Sequence, residues 1–198
     1  PPSSSRPGAR LAAFVLLALA LASGLRAQTT VWSNAGTGDW TVAGNWSNGL
    51  PNSTTDATID NGGTATVAGT GTANTLMVGA STSHSGSLSI AGGALSVEYC
   101  FLGNEGGTGT ATVSSGTWAC TNSFFVSNAG TGSLTISGGT VSAGGNFVFG
   151  ERGGTGTGTV SGGILSPYSL LVGNSGSAGS GTLTISGGTV AVSYEAYI

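Results

Sequence analysis

A glycine-punctuated phrase recurs five times in this chain and limits its possible folds more than any other feature. The copies alternate hydroxyl with small or aliphatic residues, end in a glycine pair or in Ser-Gly, and span 86–93, 109–116, 132–139, 156–163 and 181–188. The offsets between successive starting positions are 23, 23, 24 and 25. Repeats of this period are typical of a solenoid, in which each repeat forms one coil, and they argue against a globule with a single core.

Each repeat predicts three short strands separated by three corners. Alternation within the phrase places aliphatic side chains such as Leu134 and Ile136 on one face and Ser or Thr on the other. The glycine pair permits a corner at positive φ, and a third strand follows it. Another apolar strand precedes each phrase and ends at a closing residue; the closing residues are Gly79, Gly103, Ser127, Gly150 and Gly173.

The spacing between closing residue and phrase varies from coil to coil, whereas every phrase keeps its length. Insertions therefore fall in one loop while the strands keep their register, as a stack of coils requires. Asparagines at 104, 128 and 174 directly follow closing residues. They predict either a stacked asparagine ladder or residues that simply tolerate a turn.

The N-terminal segment 1–27 has the pattern of a secretory signal peptide. Arg6 and Arg10 precede an unbroken apolar run over 11–22, and Ala27 lies at the expected cleavage point. The alternative is a retained membrane anchor, for which the run is short. The chain lacks an initiating Met and stops at Ile198, where the pattern calls for another closing glycine, so we expect the gene product to be longer.

Residues 28–73 differ in composition from the repeats over 74–198, because they carry Trp32, Trp40 and Trp46. Large aromatic side chains at the start of a coil stack predict a cap over the open end of its apolar interior. A sugar-binding aromatic platform is the alternative interpretation.

Charge excludes one class of partner. The chain has no lysine, and beyond Ala27 a single arginine, Arg152, stands against seven carboxylates, a formal net charge of −6. Phosphate backbones would be repelled, so we expect no nucleic-acid partner.

Residues that carry catalysis are sparse, and we expect no enzymatic activity, metal or cofactor. The carboxylates of the repeats, Glu98, Glu105, Glu151 and Glu195, fall in different coils, whereas polysaccharide cleavage needs them clustered. The only histidine, His84, falls in a variable loop. Calcium-binding repeats need an Asp after their glycines, and no Asp follows Asp60.

Cys100 and Cys120 leave two interpretations open. An exported chain meets an oxidising compartment, so an even pair suggests a disulfide. Their positions within the repeat differ, however, and stacking places Cys100 beside residue 123 or 124. Two small buried apolar residues are the alternative.

Outward hydroxyls form Thr-X-Thr pairs that would align from coil to coil, as at Thr110 and Thr112 or Thr157 and Thr159. A flat threonine array can order water, as in ice-binding solenoids, although threonine is also an ordinary outward strand residue.

The segment 31–46, together with 170–176 and 181–190, resembles the repeats of autotransporter-associated and PEP-CTERM-sorted surface proteins of Gram-negative bacteria. The resemblance covers about residues 31–198. It implies a right-handed parallel β-helix passenger, displayed at the cell surface or in the extracellular matrix, and it transfers no catalytic residue.

We therefore expect an exported, all-β solenoid that acts as a structural or adhesive surface module. Its partners would be extracellular polysaccharide or a neighbouring or host surface, and it would meet a membrane only through its signal segment or a C-terminal anchor beyond Ile198. A polysaccharide-acting enzyme and an ice- or glycan-binding solenoid are the alternatives.

Overall fold

A computed structural model of the chain describes residues 27–173 and 178–198. They form a parallel β-solenoid of about 7 turns with about 24 residues per turn, and about two thirds of these described residues are in strands. The predicted stack of coils is therefore confirmed. Residues 1–26 of the predicted signal segment 1–27 lie outside the described residues. Within the described part of the chain, no helix is long and apolar enough to cross a membrane.

The described residues contain fifteen strands and one 3-10 turn, at Ala43–Asn45. In chain order the strands are β1 Gln28–Val31, β2 Thr37–Asp39, β3 Thr55–Ile59, β4 Asn61–Val67, β5 Thr70–Val78, β6 Ser85–Asn104, β7 Thr108–Cys120, β8 Phe124–Asn128, β9 Thr131–Ile136, β10 Thr140–Glu151, β11 Thr155–Val160, β12 Ile164–Val172, β13 Ser180–Ile185, β14 Thr189–Val190 and β15 Glu195–Tyr197.

These strands form three walls, each a parallel ladder that runs along the stack. The first wall holds the segments that end at closing residues, the second wall holds the phrases, and the third wall holds the segments after the glycine pairs. Several strands are longer than expected, and β6 runs through all three walls in 20 residues. Ladder pairing continues around the corner of β6, with register shifts only between Ile90 and Ala94.

Inward side chains of all three walls meet in one continuous core. Leu88, Ile90, Leu134 and Ile136 are buried there, as their alternation predicts. Aromatic rings fill the middle of the core: the ring of Phe124 lies edge-on to Trp118 and is stacked on Phe147, with centroid distances of 4.6 and 4.4 Å. The coils therefore share one apolar interior, which supports the cooperative stacking that a single coil could not achieve.

The closing residues turn the chain at positive φ, as Gly103 does at 70°. Ser127 takes the same place with φ of 80°, and its Oγ donates a hydrogen bond of 2.7 Å to the Gly130 carbonyl. This local bond helps to hold a conformation that residues other than glycine seldom adopt, which accounts for serine at this corner.

Residues 28–73 stack in register on the coils that follow them. β1 pairs with β3 and β2 with β4, both in parallel. Next to β1, Ser33 and Ser47 donate backbone hydrogen bonds of 2.8 Å to the carbonyls of Asn45 and Val31. This short antiparallel segment covers an edge that would otherwise be free to pair with another chain.

Candidate functional site

The outer face of the second wall is a regular array of hydroxyl groups. Two rows follow the ladder through successive coils: Thr37, Thr64, Ser87, Thr110, Ser133, Thr157 and Thr182 form one, and Thr66, Ser89, Thr112, Thr135, Thr159 and Thr184 form the other. Neighbours within a row interact, since the hydroxyls of Ser87 and Thr110 are 2.8 Å apart. The ladder register aligns these hydroxyl side chains from coil to coil, as predicted.

The outer face of the first wall has a different chemistry. From Met77 onward, the central outward position of this wall is occupied by apolar or aromatic side chains, whereas the preceding coil has Thr58 there. The row reads Met77, Phe101, Phe125, Val148, Leu171 and Tyr197. The rings of Phe101 and Phe125 are stacked with centroids 5.1 Å apart and planes within 6°. The same coils thus present hydroxyls on one wall and apolar groups on another.

A groove opens along this apolar row and encloses about 470 Å³. We call it the aromatic groove. Its apolar lining consists of Tyr99, Phe101, Phe125, Val148 and Leu171, and its polar lining of Ser123, Asn128, Asn146, Glu151 and Arg152. The aromatic stack ends at Phe125, because the next coil supplies the smaller Val148 at that register. Apolar walls with a few polar groups are the usual composition of a binding site.

The corner beside the groove carries its amide and charged groups. Asn128 donates a hydrogen bond of 2.7 Å from Nδ2 to Oδ1 of Asn104, so these two side chains form the first step of a ladder. Glu151 takes the next place in register with Asn128. Asn174, the third predicted member, lies outside the described residues. Glu151 and Arg152 thus place both signs of charge at the groove.

The three tryptophans of the first coil are buried and do not form a surface platform. Trp32, Trp40 and Trp46 are 1%, 1% and 4% exposed. The ring of Trp46 lies edge-on to those of Trp32 and Trp40, with centroid distances of 5.0 and 4.8 Å. Its Nε1 donates a hydrogen bond to the Trp40 carbonyl. A sugar ring cannot stack on rings that solvent does not reach, so the alternative interpretation of these residues as a sugar platform is wrong.

The apolar strands that precede the closing residues do not by themselves reveal the aromatic groove. Phe101 and Leu102 are consecutive apolar residues of such a strand, but only Leu102 points inward, and Cys100 takes the other inward position. Strict alternation counted back from the closing glycine would have placed Tyr99 and Phe101 outside.

The candidate catalytic side chains are distributed over the molecule. Of the residues that line the aromatic groove, Glu151 is the one carboxylate, and Glu98 borders a separate hollow of about 210 Å³. His84 is exposed, and its Nδ1 lies 3.1 Å from the Ser81 hydroxyl. Among residues 27–173 and 178–198, no group of three or more His, Cys, Asp or Glu side chains could hold a metal ion.

Two of the aspartates are held by local hydrogen bonds. Asp39 accepts from the hydroxyl and the backbone N–H of Thr41 at 2.7 Å, and these bonds lower the pKa of its carboxyl. Asp56 accepts from Nδ2 of Asn74 at 2.8 Å and from the backbone N–H of Thr75 at 3.2 Å. Both carboxylates thus stabilise corners of the first coils.

Cys100 and Cys120 are free, buried thiols whose side chains lie near each other, and Sγ of Cys120 donates to the carbonyls of Glu98 and Ser123, each 3.2 Å away. Cys100 lies in register with Phe124, as expected, and Cys120 with Val97. Burial raises the pKa of Cys100 well above its ordinary value, and the neighbouring Cys120 thiol raises it further. Interaction with the Cys100 thiol lowers the pKa of Cys120. Contact between the thiols is compatible with both interpretations of the pair, and a disulfide stays a prediction.

No family model, curated protein or solved structure matches the chain. The similarity to autotransporter-associated repeats thus remains a resemblance carried by the quoted segments.

Proposed function

We propose that the protein is an exported structural module of the bacterial surface, without catalytic activity, whose outer faces make adhesive contacts. The observation that carries this proposal is the uninterrupted parallel ladder of about 7 turns, which repeats the same surface chemistry coil after coil. A periodic surface of this kind suits contact with an extended, periodic partner.

Mechanical considerations support the same role. Coils stacked about 4.8 Å apart make a rod roughly 30 Å long, with backbone hydrogen bonds parallel to its axis. Nearly all the variation in length falls in the loop between closing residue and phrase, so this loop can change with little effect on the ladder. Such a rod can separate a binding surface from an anchor.

Export is proposed from residues 1–27 and from the resemblance to surface proteins of Gram-negative bacteria. The expected partners are extracellular polysaccharide or a neighbouring surface. A net charge of −6 beyond Ala27 opposes nucleic acid and other polyanions.

Expression in a Gram-negative host, with an added initiating Met and a C-terminal epitope tag, tests export. We expect the tag outside the inner membrane and a mature N-terminus at Gln28 by mass spectrometry. A variant without residues 1–27 is the matched control and should stay in the cytoplasm. Equal cytoplasmic retention of both forms would contradict the proposal.

The structural role is tested separately from export. Cells that display the protein should adhere better to a polysaccharide-coated surface than cells that do not. Purified protein should release no reducing sugar from the same polymers. Sugar release would favour a polysaccharide-acting enzyme, and unchanged adhesion would leave a passive stalk.

Ice binding is a second candidate, favoured by the hydroxyl rows of the second wall. Their regular spacing along the ladder could order water in a lattice. Thermal hysteresis of the purified protein is the measurement. Thermal hysteresis that is abolished when Thr112→Lys and Thr135→Lys are combined would support ice binding. Absence of thermal hysteresis in the wild-type protein would exclude it.

A further inference from the structure

We propose that the aromatic groove binds an uncharged polysaccharide chain. This inference rests on the adhesive role proposed above and assigns it to one surface. It comes from the contrast between two walls of the same coils: outward side chains of the second wall are hydroxyls, whereas the central outward row of the first wall is apolar. An apolar row of this extent on an outer face indicates a contact surface.

The shape of the groove follows from a change in side-chain size along that row. Phe125 stacks on Phe101 with one ring face, and its other face lies on the side of Val148. Val148 is only 2% exposed and forms the floor, while Leu171 continues the row in the next coil. The result is a notch beside an aromatic ring, open to solvent and large enough for part of a sugar chain.

The polar lining matches the edges of a sugar ring. Amide groups of Asn128 and Asn146, the hydroxyl of Ser123 and the charged pair Glu151 and Arg152 lie around the apolar floor. A sugar ring has an apolar C–H face, which can lie on an aromatic ring, and a rim of hydroxyls, which can donate to and accept from such groups. Apolar and polar surfaces of the ligand and the groove are therefore complementary.

Two other occupants fit less well. A peptide strand would need free backbone N–H and C=O groups, but β8 and β10 are paired with neighbours on both sides along the groove. A polyanion would meet a protein with one arginine and seven carboxylates beyond Ala27, and that arginine directly follows Glu151. An uncharged glycan avoids both difficulties.

Isothermal titration of the purified chain with cellohexaose, mannohexaose and xylohexaose, alongside polygalacturonate, tests the proposal. We expect at least one neutral hexasaccharide to bind, and Phe125→Ala to weaken its binding at least tenfold. Thr117→Ala is the matched control, because it removes an exposed side chain of the third wall, outside the groove, and should leave affinity unchanged. A urea-unfolding midpoint near that of the wild type shows that each variant is folded.

If Phe125→Ala does not fold, Asn146→Ala takes its place, since Asn146 is exposed and its loss should not disturb the fold, and we expect affinity to fall at least threefold. Absence of binding to all three neutral probes, tighter binding to polygalacturonate, or affinity insensitive to both variants would overturn the proposal. So would a dimer in sedimentation equilibrium that Phe125→Ala dissociates, because a second copy would then occupy the groove. Surface display without glycan binding would refute the groove assignment alone.

Discussion

At the scale of single residues, glycines at the corners are required for two different reasons, close packing between coils and positive φ. Gly103 has φ of 70°, and a Cβ added there would overlap the carbonyl oxygen of Thr131 in the next coil. Gly153 has φ of 79°, but a Cβ there would meet nothing within 4 Å. A side chain at Gly103 would therefore meet both backbone strain and a steric clash, whereas one at Gly153 would meet backbone strain alone.

We expect Gly103→Ala to lower the free energy of unfolding by about 3 kcal/mol or more, because it adds a steric clash to an unfavourable φ. Gly153→Ala should cost only about 1–2 kcal/mol, the conformational term alone. Gly44→Ala, at a site with open space and no positive φ, is the neutral control. Urea unfolding of the three variants measures these differences, and equal losses at 103 and 153 would contradict the steric argument.

The opposite pKa shifts of Cys100 and Cys120 predict which thiol is alkylated first. A lowered pKa makes Cys120 a thiolate at lower pH, whereas the raised pKa of Cys100 keeps it protonated. In the reduced native protein, iodoacetamide should therefore modify Cys120 first as the pH rises, and slowly, since both thiols are buried. Chymotryptic peptides cut after Phe101 and Trp118 separate the two sites for mass spectrometry.

Labelling in urea is the control for this experiment, because both thiols should then react at similar rates. Earlier modification of Cys100 in the native protein would contradict the predicted order. The same urea sample prepared without reductant reports the pairing: two labelled thiols indicate free cysteines, and none indicates a disulfide.

At the scale of elements, each strand divides its side chains between core and surface with period two. Phe124 and Phe125 are consecutive in β8, yet the first is fully buried among aromatic rings and the second faces outward. The same amino acid therefore has two functions in adjacent positions, one in stability and one on the proposed binding surface.

Alanine substitutions at this pair should differ in effect by several kcal/mol. Phe124→Ala leaves a cavity beside Trp118 and Phe147 and should cost about 3–5 kcal/mol. Phe125→Ala removes an outward, half-buried ring and should cost about 1 kcal/mol. Chemical denaturation monitored by circular dichroism checks both, and equal losses would show that the outward row also carries the fold.

At the scale of the whole molecule, the two ends of the described stack differ. The tryptophan cluster and the antiparallel segment cover the first coil. On the last described coil, Ile185 is 54% exposed and borders an apolar hollow of about 460 Å³ with Leu170, Val172 and Leu183. Stability should therefore be graded along the axis, since a solenoid interacts only between neighbouring coils.

Hydrogen exchange measured by mass spectrometry tests this gradient. Amides of 108–160, which have ladder partners on both sides, should exchange most slowly, and those of 180–198 should exchange fastest. Trp46→Ala should accelerate exchange over 28–67 and leave 131–160 unchanged. Uniform protection, or a uniform response to Trp46→Ala, would indicate a single cooperative unit instead.

Local pattern was enough to predict much of this architecture. Period-two alternation placed Leu134 and Ile136 inward, and the glycine pairs marked corners that are found at positive φ, as at Gly139. The aligned hydroxyl rows also followed from phrases of constant length. These features depend on residues close together in the chain, so they can be predicted from the sequence alone.

The aromatic groove and the thiol contact could not be predicted in this way. The groove exists because Val148 follows Phe125 in the ladder, one full coil later in the chain, and its corner is completed by Asn128 and Glu151. The thiols of Cys100 and Cys120 meet although their places in the repeat differ. Which side chains become neighbours is decided by the register between coils.

Alternation and glycine placement within one repeat are enough to specify the winding of the chain into coils, its apolar faces and the corners of its backbone. Which tryptophans are buried, where the aromatic stack ends and which polar groups surround that notch depend instead on how the coils stack. Contacts between coils are set by the relative sizes of stacked side chains, and no single repeat contains that information.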